Sequence, residues 1–144
     1  MMTDKLGIYI IKNICKKIDF DGQYGAQCVD LIRDFLNNVY DLPQQPEGVV
    51  GAQDFFLKHD ERAVQKKYLD RHEICVKGQD IPVGAIVVFR ATATNKYGHI
   101  GVCIRTENNV IVLLEQDGFK QDGVKISRWN YDNVLGYLTK KEGV

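Results

Sequence analysis

Residues 81–116 read IPVGAIVVFRATATNKYGHIGVCIRTENNVIVLLEQ, and their reading decides the fold. Three runs rich in β-branched residues, IPVGAIVVF (81–89), GHIGVCI (98–104) and NVIVLLEQ (109–116), are separated by polar or glycine-containing turns. Runs of this length and composition predict strands, and connections this short predict antiparallel neighbours. A last strand is expected in NVLGYLT, 133–139. Upstream the apolar period changes from two to three and four. Leu6, Ile10, Ile14 and Ile8, Ile11, Cys15, Ile18 predict an amphipathic helix over 4–18, and Cys28, Leu31, Ile32, Phe35, Leu36, Val39 predict a second over 28–40, ending before Pro43. LPQQPEGVVG (42–51) is a loop by its prolines and glycines, and AQDFFLKHDERAVQKKYL (52–69) predicts a polar-faced helix. Helices first and a meander of strands afterwards argue for an α+β domain, its N-terminal helices packed on a mostly antiparallel sheet.

The bulk composition narrows the function classes. At 144 residues with 44% hydrophobic and 26% charged content, the chain fits one domain, 1–144, with a real core. Its formal net charge is zero and its lysines lie in scattered pairs, Lys16-Lys17, Lys66-Lys67 and Lys140-Lys141, so no nucleic-acid partner is expected. No apolar run reaches the ~18 residues of a membrane span, so no membrane insertion is expected. LGIYII before Lys12 lacks a cleavage site after it, which predicts synthesis in the cytoplasm without a signal peptide. The four cysteines, 15, 28, 75 and 103, form no CxxC pair. Cys15, Cys75 and Cys103 sit among apolar neighbours and are expected as small core side chains.

Cys28 lies elsewhere, in the stretch DFDGQYGAQCVDL (19–31), at the predicted start of the second helix. A thiol attacks a carbonyl carbon only as thiolate, and a helix N-terminus favours negative charge where backbone N–H groups lack partners. Those same groups, with the Gln27 side chain, are candidate donors to an oxyanion. The base such a nucleophile needs is an imidazole. His59 and His72 stand in the charged segments LKHDER and DRHEIC and are expected on the solvated surface, whereas His99 opens a strand after NKYG. A turn-edge histidine without a catalytic role is the competing reading for His99. An acid to orient the ring is offered by LLEQDG, where strand alternation places Glu115 and Asp117 on one face.

Cysteine on a helix, then histidine and an acid on consecutive strands: in this order the chain resembles the CHAP family, the cysteine, histidine-dependent amidohydrolases/peptidases, a papain-like group. The resemblance rests on DFDGQYGAQCVDL, on PVGAIVVFRATATNKYGHIGVCI, on VIVLLEQDG and on the closing NVLGYL. It implies a papain-like fold with Cys28 as nucleophile, His99 as base and Glu115 as orienting acid, with Asp117 as a helper where the family often has asparagine. Ala85 stands where the family usually shows aspartate, which leaves the chemistry untouched.

Read as a twelve-residue loop from Asp19, positions 1, 3, 5, 7 and 12 are Asp19, Asp21, Gln23, Gly25 and Asp30, close to the EF-hand ligand pattern. The loop departs from that pattern at its sixth position, Tyr24 in place of glycine, and at its twelfth, aspartate in place of glutamate. An ordinary turn capped by Asp19 or Asp21 competes with the metal reading. Some phage lysins of the CHAP family look very similar here. That resemblance implies a structural calcium site from Asp19, Asp21, Asp30 and the backbone carbonyls of Gln23 and Gly25.

The expectation is therefore a monomeric phage lysin or virion-associated hydrolase acting on bacterial peptidoglycan in the cell wall. It would cut an N-acetylmuramoyl-L-alanine amide bond or a bond in the stem or cross-bridge peptide. A non-catalytic calcium module explains neither the strand-rich second half nor a thiol inside the loop. A papain-like enzyme acting on protein amide or isopeptide bonds is a third reading. Residues 43–80 are a candidate for substrate selection. Tyr97, Tyr131 and Trp129 are candidates for a peptide groove, with core packing the favoured fate of Trp129.

Overall fold

The computed structural model describes residues 2–23, 25–44 and 48–144. Tyr24, the sixth position of the acidic loop, and residues 45–47 of the proline-containing loop lie outside that set. The elements run α1 (Met2–Asn13), α2 (Cys28–Asn38), α3 (Asp54–Leu57), a 3-10 turn (His59–Glu61), α4 (Ala63–Tyr68), then β1 (Leu69–Glu73), β2 (Ile86–Phe89), β3 (His99–Glu107), β4 (Val110–Gln116), β5 (Val124–Trp129) and β6 (Val134–Lys140). The strands form one sheet in the order β1-β6-β2-β3-β4-β5, every pairing antiparallel. This is the α+β architecture that the sequence predicts. Among the described residues no helix is long and apolar enough to cross a membrane.

The central strands are apolar on both faces because both faces are covered. Ile86 and Val88 of β2, Ile100 and Val102 of β3 and Leu114 of β4 pack with Leu31, Ile32, Phe35 and Leu36 of α2. The alternate residues, Val87, Phe89, Cys103, Ile111 and Leu113, pack with Ile81, Tyr131 and Tyr137 on the opposite face. Each buried aliphatic side chain of this kind contributes roughly 1.5–3 kcal/mol. The edges of the sheet are rich in polar residues: β1 (LDRHE) is polar at every position after Leu69, and β5 (VKISRW) carries Lys125, Ser127 and Arg128. Such strands blunt further pairing, and they also lack the apolar signature that announces a strand.

Several expectations are corrected. The segment 52–69 is not one helix: the backbone breaks at Arg62 (φ -100, ψ 89), and Leu69 leaves the helix to pair with Lys140. His59 is buried rather than solvated, with Nδ1 2.7 Å from the Gln65 amide, which also donates to the Phe55 carbonyl at 2.6 Å and accepts from Arg62 Nε at 2.8 Å. Burial, then the Arg71 charge, lowers its pKa. His72 is half-buried and stacks on Tyr137 at 4.9 Å. Of the three cysteines expected in the core only Cys103 is there; Cys15 and Cys75 are exposed. Helix α1 stops at Asn13, and the chain turns through Cys15 (φ 68), whose N–H donates to the Val124 carbonyl at 2.8 Å. The strand predicted from residue 81 starts at Ile86, because Pro82 and Gly84 form a turn closed by Ala85 N–H on the Pro82 carbonyl.

Candidate active site and acidic loop

Three elements meet at the site. Cys28 is the first residue of α2 and is half-buried. Its helix is fixed by the Asp30 carboxylate, which accepts from Gln27 N–H at 2.9 Å, one half of a capping box. His99 opens β3, two strands' width from the edge β5. The glycine before it is required: Gly98 has φ +77, and a Cβ there would lie 2.5 Å from the Phe89 carbonyl oxygen. Glu115 is the penultimate residue of β4. Because Val102 pairs with Leu114, Glu115 is the diagonal neighbour of His99, and diagonal side chains of this length reach each other.

The contacts converge on the imidazole. Nε2 of His99 stands 3.3 Å from Glu115 Oε1, buried and otherwise without a hydrogen-bond partner among the described residues. The Cys28 thiol is the ring's other polar partner. Burial alone would depress the His99 pKa; the hydrogen bond to Cys28 and the Glu115 carboxylate outweigh it and hold the pKa at about 9. Burial pushes Glu115 up, and its contacts with His99, Trp129 and Ser127 outweigh that and hold it below its ordinary value. The other side of the ring is covered by Trp129, stacked at 5.0 Å and 19°, and Trp129 packs on Phe89 at 4.8 Å. The Trp129 indole N–H also donates to Glu115 Oε2. Each oxygen of Glu115 therefore has its own task, one toward the imidazole and one toward the indole.

Trp129 is thus a residue of the site and not a plain core side chain, a role that sequence reasoning missed. Register supplies it: Ile111 pairs with Trp129 and Glu115 with Lys125, so residues 125, 127 and 129 share the face of Glu115. Tyr131 belongs to the core, its hydroxyl donating to the Gln79 carbonyl at 2.7 Å, while Tyr97 stays exposed. Asp117 lies just past the end of β4, which stops at Gln116. Its carboxylate accepts from the N–H groups of Phe119 (2.8 Å) and Lys120 (3.3 Å) and so shapes the turn that follows.

The acidic loop brings together what a hard cation needs. Asp19, Asp21 and Asp30 each offer a carboxylate oxygen, all within 4.8 Å of one another. Asp19 and Asp21 are exposed, and Asp30 is 3% exposed. Burial, together with the charges of Asp21 and Asp19, raises the Asp30 pKa to about 6 in spite of the Gln27 hydrogen bond. Three oxygens at this spacing repel unless a cation lies between them, so the donor set fits calcium chemistry. Gly22 and Gly25, at φ 69 and 73, let the backbone bend around the cluster, and Asp21 accepts from Gln23 N–H at 2.9 Å.

Comparison with solved structures finds the same fold elsewhere. The crystal structure of the wild-type endolysin LysIME-EF1 is similar with a TM-score of 0.66 at 20% identity, over 96% of this chain and 63% of that one. The crystal structure of Ly7917 with the hydrolysing product of MDP is similar with a TM-score of 0.56 at 14% identity, over 79% of this chain and 53% of that one. The chain thus spans less than two thirds of either neighbour. No curated protein matches it. Residues 18–117, from the acidic loop to the end of the Glu115 strand, match the CHAP domain, and on that match the chain belongs to the CHAP domain family.

Proposed function

We propose that the protein is a peptidoglycan hydrolase that cuts an amide bond through a Cys28–His99–Glu115 relay. The observation that carries the reading is the buried imidazole held between the Cys28 thiol and the Glu115 carboxylate. In the first half-reaction the Cys28 sulfur bonds to the carbonyl carbon, and the oxyanion is met by the backbone N–H of Cys28, at the helix start, and the Gln27 side chain. His99 passes its proton to the departing amine nitrogen as the C–N bond breaks, leaving a thioester. Water then attacks the thioester, giving a proton to His99, and the carboxylate product leaves as the sulfur is restored. Glu115 stabilises the charged imidazole throughout, and Asp117 shapes the turn beside it.

Calcium is proposed at Asp19, Asp21 and Asp30, with the backbone carbonyls of Gln23 and Gly25. The ion would supply charge compensation and hold the loop that leads into α2. Family membership and the endolysin fold neighbour support wall peptidoglycan as substrate and a bacteriophage lysin as the kind of protein.

Cys28→Ala is expected to abolish clearing of Gram-positive walls, by about 10³-fold or more, with an unchanged far-UV spectrum. A variant that clears walls as fast as the parent removes the nucleophile assignment. Mass spectrometry of digested peptidoglycan separates the bonds: a new free amine on L-alanine marks an amidase, and new termini inside the stem or cross-bridge mark an endopeptidase.

A further inference from the structure

We propose that Gln116 and Gln121 are positioning residues that clamp the acidic loop, and with it the start of α2, to the strand that carries Glu115 and to the turn that follows it. The proposal rests on the Cys28–His99–Glu115 reading above. Neighbouring residues of a strand point to opposite faces, so Glu115 faces His99 while Gln116 faces the helix layer. The Gln116 side chain is fully buried. Its Oε1 accepts from Ile18 N–H at 2.8 Å, and its Nε2 donates to the Ile18 carbonyl at 2.7 Å and to the Gln27 carbonyl at 2.8 Å. Ile18 immediately precedes Asp19, and Gln27 immediately precedes Cys28. One carboxamide therefore closes the base of the acidic loop.

Gln121 repeats the device one turn later. Its Oε1 accepts from Ala26 N–H at 3.0 Å, and its Nε2 donates to the Ala26 carbonyl at 3.1 Å and to the Gly118 carbonyl at 2.8 Å. In both cases a side-chain amide engages the N–H and the C=O of a single residue, as a neighbouring strand would. A carboxylate has no donor for the carbonyls, and an apolar side chain has neither group, so the chemistry calls for glutamine. The loop lies flush against the clamp: a Cβ on Gly25 would stand 2.7 Å from Gln121 Oε1. The strand that presents Glu115 to His99 thus also sets where α2 begins. A nucleophile misplaced by about 1 Å costs on the order of 100-fold in rate, which makes this attachment part of the catalytic geometry.

Gln116→Met keeps the length and burial of the side chain and deletes its three hydrogen bonds. The expected result is a folded variant whose kcat on wall substrate falls by about 10-fold to 100-fold with KM changed by less than about 2-fold. The alkaline limb of its pH profile moves down toward the ordinary histidine range, because His99 loses Cys28, and iodoacetamide alkylates Cys28 more slowly. Gln121→Met is expected to move the same readouts in the same direction by less. A folded Gln116→Met with parental kcat, pH profile and alkylation rate overturns the clamp, as does a lowered melting temperature with none of those three changed. If Gln116→Met does not fold, Gln121→Met decides by the same readouts. Slower alkylation in the variants of a parent that cleaves no peptidoglycan upholds the clamp and discards the hydrolase reading instead.

Discussion

At the scale of single residues, the site depends on one imidazole whose charge is stabilised from two sides. The His99 pKa of about 9 lies above its unfolded value near 6.5, so the stabilisation it contributes is complete below about pH 6.5 and is lost as pH rises through 9. Glu115 is held below its ordinary value, so its share is present at neutral pH and disappears only as acid protonates it. Activity that needs a charged imidazole beside sulfur is therefore expected to hold a plateau through neutrality and fall near pH 9, read from kcat/KM against pH. Glu115→Gln removes the carboxylate charge, and the expected result is an alkaline limb moved to lower pH with kcat reduced on the order of 10²-fold to 10⁴-fold. Trp129→Phe keeps a ring over His99 but deletes the N–H that holds Glu115 Oε2. A loss of about 1.5–3 kcal/mol in stability is expected for a hydrogen bond to a charged group, measured by urea unfolding. No change in stability would mean that the indole N–H is dispensable.

At the scale of elements, legibility followed chemistry. Helix α2 and strands β3 and β4 could be read in the sequence because both their period and their apolar content are strong, and they carry Cys28, His99 and Glu115. The edge strands β1 and β5 could not, since LDRHE and VKISRW place polar residues where a buried strand has apolar ones. That blind spot hid Trp129, whose place beside His99 follows from cross-strand register and not from local composition. Gln116 was hidden for another reason: a buried glutamine looks like any strand-end polar residue until the backbone it binds, residues 18 and 27, is folded against it. The turn into β3 is the element most sensitive to substitution. Gly98→Ala must relieve both a φ of +77 and a 2.5 Å approach to the Phe89 carbonyl oxygen. The expected cost is about 1–3 kcal/mol in urea unfolding, together with reduced activity because His99 is the next residue.

At the scale of the whole molecule, the acidic loop and the sheet both adjoin the start of α2, and they do so with opposite chemistry. The sheet side is built from neutral amides and the loop side from carboxylates, of which Asp30 is almost fully buried and also caps α2. Without a cation, burial first and then the charges of Asp21 and Asp19 oppose ionisation of Asp30, which is the direction its raised pKa takes. A bound cation reverses that opposition and adds binding free energy to folding. At about 100 times its dissociation constant, calcium is expected to contribute roughly 2.7 kcal/mol, which for a chain of this length raises the melting temperature by about 5–10 °C. Magnesium should do less, because it holds its waters and demands a tighter octahedron than a loop built on glycine turns enforces. The double variant Asp19→Asn, Asp21→Asn keeps Asp30 as the cap and should lose the calcium response while retaining its secondary structure. Scanning calorimetry of the parent with chelator, calcium and magnesium, and of the double variant with calcium, is the measurement. Equal melting temperatures for the parent in chelator and in calcium would remove the ion and leave the loop to its hydrogen bonds with the sheet.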